Sequence, residues 1–222
     1  HCKWGIHVTR MGTEIKSVNA MNTDVGIWIE KNNAGLTTNV SNCNLQCENI
    51  GVELWQNIGS TYQYVTGNLI SIGSAGNGGG KGIRVDDSNI TPSDININGN
   101  IIDVYNAYGG IALFQGIKSR VFENIVTLHV PDVNYYGIGV FNNQSARVQC
   151  NTVIGSSSTS GSIQRGFIFS KSFNSSVTCN VESNTKFGFE FDDLCDATNF
   201  QENTMSTNWS GLYLNGNGVI GV

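Results

Sequence analysis

One four-residue figure, a glycine followed by apolar, variable and apolar residues, recurs nine times along the 222 residues and limits what the chain can fold into. It reads Gly5-Ile6-His7-Val8, Gly26-Ile27-Trp28-Ile29, Gly51-Val52-Glu53-Leu54, Gly82-Ile83-Arg84-Val85 and Gly110-Ile111-Ala112-Leu113. It continues as Gly137-Ile138-Gly139-Val140, Gly166-Phe167-Ile168-Phe169, Gly188-Phe189-Glu190-Phe191 and Gly211-Leu212-Tyr213-Leu214. Successive glycines stand 21 to 31 residues apart. Self-similarity at such a period is what a solenoid leaves in a sequence, because each unit buries its apolar face only against the next.

Between glycine figures lies a second feature, an Asn flanked by short apolar alternations. In the clearest copy, Ile95-Asn96-Ile97 leads through Gly99-Asn100 into Ile101-Ile102-Asp103-Val104. Other copies centre on Asn19, Asn44, Asn68, Asn124, Asn151, Asn180 and Asn203. Each unit therefore divides into three short strands, with the Asn at a bend. Asn tolerates the left-handed backbone that a sharp bend requires, and stacked copies can hydrogen-bond as a ladder along the axis.

An apolar spacing of two, abundant Val, Ile, Thr and Phe, and a glycine in every unit exclude an amphipathic helix. A flat antiparallel sandwich would not need equivalent positions at a near-constant period. Alternation sends Ile6, Val8, Ile27, Ile29, Val52, Leu54, Ile83, Val85, Ile111 and Leu113 inward. The predicted fold is all-β: a right-handed parallel β-helix of about nine coils, three short strands per coil, in one domain over residues 1–222. At about 4.8 Å per coil the column would be roughly 40 Å long.

Composition narrows the partners. With 13% charged residues, a net charge of -5 and a pI near 5.1, the chain offers no basic footprint for nucleic acid and no attraction to an anionic membrane. No apolar run approaches the roughly 18 residues of a membrane span. The 27 Gly against 2 Pro supply many positive-φ turns. The six cysteines fit neither zinc spacing nor a dense disulfide framework and read as buried or stacked thiols. Cys150 and Cys179 each precede a turn Asn in neighbouring coils, placed either to stack or to cross-link.

The glycine figure, paired with the apolar-x-apolar-x-x-Asn-x-apolar turn, resembles the right-handed parallel β-helix family, the pectate-lyase-like superfamily, from Gly5 to Leu214. The resemblance implies the fold rather than one activity, since lyases, hydrolases, epimerases, phage tailspikes and surface adhesins share it. The Asn- and Gly-rich, low-charge sequence is also similar to repeat proteins that bacteria secrete or display, which implies an extracellular or cell-surface location. Stretches Tyr62 to Gly67, Ser71 to Lys81, Asp86 to Asp94, Val130 to Tyr136 and Ser156 to Arg165 read as inserted loops. No capping segment is visible at either end, so further coils or domains of the same polypeptide are expected neighbours.

Outward positions of the glycine strand carry the candidate chemistry. Residues between the apolar pair run His7, Trp28, Glu53, Arg84, Ala112, Gly139, Ile168, Glu190 and Tyr213. Two further on they run Thr9, Glu30, Trp55, Asp86, Phe114, Phe141, Ser170, Asp192 and Asn215. Stacked in register, Trp28, Glu30, Glu53, Trp55, Arg84 and Asp86 would form one patch. Indoles that stack on pyranose rings, beside charges that hold hydroxyls or uronates, make a candidate sugar-binding surface. The plain alternative is an Arg84–Glu53 charge pair on an exposed sheet, worth about 0.2–1 kcal/mol.

Lyases of the resembling family use acidic residues for calcium and a Lys or Arg as base. Glu53, Arg84 and Asp86 are the weak catalytic candidates that this implies. Asp86-Asp87 and Asp192-Asp193 with Asp196 are the acidic clusters, but two adjacent Asp supply few of the six or more oxygens calcium takes. No metal site and no cofactor is expected, calcium being the one ion with any support. Asn22-Thr23-Asp24 resembles one motif of the polygalacturonase-like hydrolases, whose Gly-His-Gly and Arg-x-Lys motifs are absent. Gly76 to Gly82 lacks the Ser or Thr and the helix of a phosphate loop.

The leading expectation is a non-catalytic, exported β-helix segment acting as a structural or adhesive surface module, with carbohydrate or a cell-surface protein as partner. The alternatives are a polysaccharide lyase or glycoside hydrolase acting on an acidic polysaccharide, and a phage tailspike-like receptor-binding segment.

Overall fold

The computed structural model describes residues 2–30, 35–56, 62–73, 80–86, 94–216 and 220. Asp87, the Gly76–Gly79 stretch and nearly all of the expected Asp86–Asp94 insertion lie outside them. The described residues form a parallel β-solenoid of strands and turns, without helix. Its first face holds the glycine strands: Cys2–Thr9, the second halves of Asn19–Glu30 and Asn44–Trp55, then Lys81–Asp86, Gly109–Phe114, Tyr136–Phe141, Arg165–Ser170, Phe187–Asp192 and Ser210–Asn215. A separate sheet of eight strands forms the second face, from Thr13–Lys16 to Asn199–Gln201. The third face is completed by Leu69–Ile72, Ile101–Val104, Ile125–Leu128, Thr152–Ile154, Val181–Ser183 and Thr204–Ser206.

Asn19–Glu30 and Asn44–Trp55 pass round the corner from third to first face unbroken, which fuses those faces into one sheet of 15 strands. Nine glycine strands bound about eight coils, not the nine that the repeat count predicted, because the last glycine strand opens a coil that these residues do not complete.

The glycine sits at that corner, and strand pairing steps over it, as from Gly109↔Tyr136 to Ile111↔Ile138. A Cβ on Gly51 would come within 2.4 Å of Ile70 Cγ2 and 2.5 Å of the Gly82 carbonyl oxygen. No side chain fits between the first-face backbone and the third-face residue it crosses, so glycine recurs. The two apolar residues that follow point inward as expected: Ile27, Ile29, Val52, Leu54, Ile83, Val85, Ile111 and Leu113 are buried. Ile6 and Val8, on the first strand, are half-buried. Towards the other end aromatic rings replace aliphatics, with Phe167 stacked on Phe189 and Phe169 on Phe191 at 4.5 and 5.0 Å between centroids.

The Asn ladder exists, with two corrections. First, the Asn is not the left-handed residue. Positive φ falls on the residue before it (Gly67, Gly99, Glu123, Cys150, Cys179 and Glu202), and in the first five its N–H bonds a carbonyl of the next coil, as Cys150 N does to Thr178 O at 3.0 Å. The Asn turns inward instead. Asn100 Nδ2 donates to Asn124 Oδ1 at 2.8 Å and to the Val65 carbonyl at 2.8 Å, while its backbone N–H reaches the same Oδ1 at 3.0 Å. The pattern repeats from Asn68 to Asn203. Second, Asn19 and Asn44 are not rungs. They pair in register with each other and with Leu69, on the third face. Cys43 takes the rung, its N–H bonded to Asn68 Oδ1 at 2.9 Å and its thiol directed at the Ile15 and Ser41 carbonyls.

Tyr62–Thr66, expected as an inserted loop, is a second-face strand in register with Thr37–Ser41. Segments 130–135 and 155–164 are loops as expected. All six cysteines are free thiols; Cys43, Cys47 and Cys195 are buried, Cys2, Cys150 and Cys179 exposed. Cys150 and Cys179 occupy equivalent left-handed positions and share a hydrogen bond that pushes the Cys150 thiol up to about 11.

Candidate functional site

Alternation on the glycine strands leaves a column of outward side chains on the first face, and pairing fixes their order. His7, Trp28, Glu53, Arg84, Ala112, Gly139, Ile168, Glu190 and Tyr213 follow one another in register. Beside them run Thr9, Glu30, Trp55, Asp86, Phe114, Phe141, Ser170, Asp192 and Asn215. Both rows stand as the sequence ordered them. The six residues singled out (Trp28, Glu30, Glu53, Trp55, Arg84 and Asp86) fall on three consecutive coils.

Their geometry differs from a row of open sugar platforms. The Trp28 ring is stacked on His7 at 4.9 Å on one side and on Trp55 at 5.8 Å on the other. Both its faces are therefore occupied, and its Nε1 is itself buried. Trp4 tilts against the same ring at 5.5 Å. Glu30 lies 3.5 Å from His7 Nε2 and accepts from Thr9 Oγ1 at 3.4 Å.

Arg84 forms the centre. Its Nη1 lies 3.3 Å from Glu53 Oε1 and its Nη2 2.9 Å from Asp86 Oδ2, so one guanidinium bridges both carboxylates. It also lies 5.7 Å from the Phe114 ring centroid. Burial of Glu53, at 7% exposure, raises its pKa, and Arg84 opposes that rise. Beside it, burial and the Arg84 charge lower the Lys81 pKa, while Glu53 raises it. Lys81 Nζ lies 5.5 Å from the Tyr108 ring centroid.

Lys81 and Tyr136 escaped the sequence reading. Both precede a glycine, a position that points outward and so belongs to the same face. Tyr136 pairs with Gly109, and its ring occupies the space beside that glycine, where a Cβ would meet it at 2.5 Å. With Ala112, Ile168, Phe114, Tyr135 and Phe141 it makes a small apolar cluster outside the coil. Burial raises the Tyr136 hydroxyl pKa far above its ordinary value. Further along, Arg165 lies over the Tyr135 ring at 4.0 Å and pairs with Glu190.

Four buried donors on this face have no hydrogen-bond partner among the described residues: Trp4 Nε1, Trp28 Nε1, Arg84 Nε and Tyr136 Oη. Buried polar groups are nearly always paired in folded proteins. Trp4 and Tyr136 stand in the row that precedes the glycine and Trp28 and Arg84 in the row that follows it. A face that keeps four such donors is chemically suited to a ligand rich in oxygen acceptors.

Other sequence candidates do not join the site. Asp192 accepts from Asn215 Nδ2 at 3.0 Å and Asp193 faces Lys171 at 3.8 Å. Asp24 is held by Asn49, and His129 is bonded to Asp103 at 2.9 Å and stacked on Tyr105. Among the described residues no three His, Cys, Asp or Glu side chains converge as a metal site. No protein-family model, curated protein or solved structure matches this chain.

Proposed function

We propose that the chain is a non-catalytic, rigid β-helix module of an exported surface protein that holds carbohydrate along the outer face of its glycine sheet. The observation that carries this reading is the set of unpartnered donors on that face, Trp4, Trp28, Arg84 and Tyr136. Sugar hydroxyls offer one acceptor after another along a chain, and the donors lie on the first, second, fourth and sixth glycine strands of one face. The right-handed winding, the kinship with the pectate-lyase-like superfamily, the bacterial source and the adhesive role expected from the motifs belong to the same proposal.

The Arg84 bridge argues against turnover. A glycosidase holds its two carboxyl groups about 5–10 Å apart on either side of the scissile bond. Here Glu53 and Asp86 are tied to one guanidinium, which must leave before either acts on a substrate. The raised pKa of Glu53 is the one feature that a general acid would share.

A glycan-array screen with product release monitored tests the reading. Wild type is expected to bind without releasing product, and Trp28→Ala with Arg84→Gln to lose the signal while keeping the fold. Binding unchanged in that variant would remove the site. Product release lost in Glu53→Gln would put the enzyme reading in its place.

A further inference from the structure

The outer face of the second sheet carries a charge arrangement that the glycine-sheet site does not use. Its outward row runs in register through Tyr64, Asn96, Arg120, Arg147, Ser176 and Asn199. Arg120 and Arg147 therefore stand directly opposite each other on neighbouring strands, an arrangement that costs free energy when the charges are alike. Both are exposed. Neither forms an ion pair among the described residues, unlike Lys16, Arg84, Arg165 and Lys171.

Lys118, also exposed, lines the same cleft of about 610 Å³, together with Ser145, Asn174, Ser176 and Asn199. Among the described residues Asp94 is the one carboxylate lining it. In a chain with 12 Lys and Arg against 17 Asp and Glu, three cations in one cleft with no ion pair among the described residues run against the overall balance. Beyond Arg120 the surface continues as a groove to Tyr62 and Tyr64, whose rings stack at 6.2 Å.

We propose that this cleft binds a tetrahedral oxyanion, a sulfate or phosphate ester, carried on a saccharide. A planar carboxylate is satisfied by one guanidinium fork. A tetrahedral oxyanion directs its oxygens apart and spans two guanidinia one strand spacing, about 4.8 Å, from each other. The hydroxyl and amide groups around the cations suit sugar hydroxyls, and the tyrosine pair supplies ring surface at one end. Three cations on a chain of net charge -5 suit isolated charges on a sugar and not the continuous charge of a nucleic acid. This site is independent of the glycine-sheet reading and lies on a different face.

Isothermal titration at low ionic strength tests it, with a sulfated tetrasaccharide, its desulfated counterpart, inorganic sulfate and inorganic phosphate as probes. The sulfated tetrasaccharide is expected to bind, and desulfation to weaken it about ten-fold or more. Arg120→Gln with Arg147→Gln is expected to cause a similar loss. Both arginines are exposed, so the variant keeps the fold, which circular dichroism checks. No binding of the sulfated sugar, binding unchanged in the double variant, or tighter binding of single-stranded DNA would overturn the proposal. Inorganic phosphate binding as tightly as the sugar would overturn its saccharide half.

Discussion

The interior Asn ladder and the outer face of the glycine sheet both stack side chains in rows of one residue per coil, and they differ in how their hydrogen bonds close. Inside, each rung from Asn100 to Asn180 accepts twice at Oδ1 and donates from Nδ2 to the next rung and to a carbonyl of the preceding coil. Outside, Trp28, Arg84 and Tyr136 keep donors without partners. A stack that consumes its own donors is scaffold; a stack that leaves them over is a surface for something else. The contrast also separates effects: changes in the first stack should act on stability, and changes in the second on binding.

The largest effect is expected from Asn124→Ala. It leaves the Asn100 N–H and Nδ2 without their shared acceptor and the Ile97 carbonyl without its donor. Several buried groups unsatisfied at once should lower stability by about 3–5 kcal/mol. Urea unfolding of wild type and variant measures it, and a midpoint that does not move would show that the ladder is ornament.

What could be read from the sequence follows from the same physics. The glycine strands and both outward rows were legible because a steric necessity marks each coil: only glycine passes Ile70 or its equivalents. The patch from Trp28 to Asp86 follows from that register alone. Arg120 and Arg147 were not legible, because second-face strands shrink to three residues such as Arg120–Phe122 and carry no invariant marker. The ladder was misplaced at Asn44 because Asn42 holds the bend and Asn44 starts the third-face strand, and at Asn19 because that Asn also starts its strand while Ser17 holds the bend. Composition does not tell a strand-start Asn from a rung. Lys81 and Tyr136 were missed because the residue before the glycine lies outside the repeated figure.

A polar group inside the column but off the ladder sharpens the contrast through pH. Glu182 points inward, accepts from Thr185 Oγ1 and Asn208 Nδ2 at 2.7 Å each, and is nevertheless raised from 4.5 to about 7, because burial outweighs those bonds. Between about pH 4.5 and 7 the folded chain holds this proton while the unfolded chain releases it. Stability therefore falls as pH rises through that window, by roughly 3 kcal/mol in all, and is flat on either side. Glu182→Gln should abolish this slope in denaturation midpoints taken across the range. A slope that survives the substitution would assign it to another group.

The smallest effect expected is also the one that tests whether the ladder's logic is general. Cys43 occupies the rung before Asn68 and already copies half of it: its N–H bonds Asn68 Oδ1, and its thiol points at the Ile15 carbonyl from 3.9 Å. Cys43→Asn would place a stronger donor toward that carbonyl and toward Asn68 Oδ1, and would offer its own Oδ1 to the Val18 amide. A gain of about 1 kcal/mol is expected from exchanging a weak sulfur contact for amide bonds in a buried position. The amide is slightly larger than the thiol, so crowding works against the gain. A rise in midpoint with an unchanged urea dependence would mean that the ladder extends wherever an Asn is supplied. A loss would mean that the first coils are packed too closely around sulfur to accept it, and that the six-Asn stretch from Asn68 to Asn203 is bounded by packing and not by hydrogen bonding.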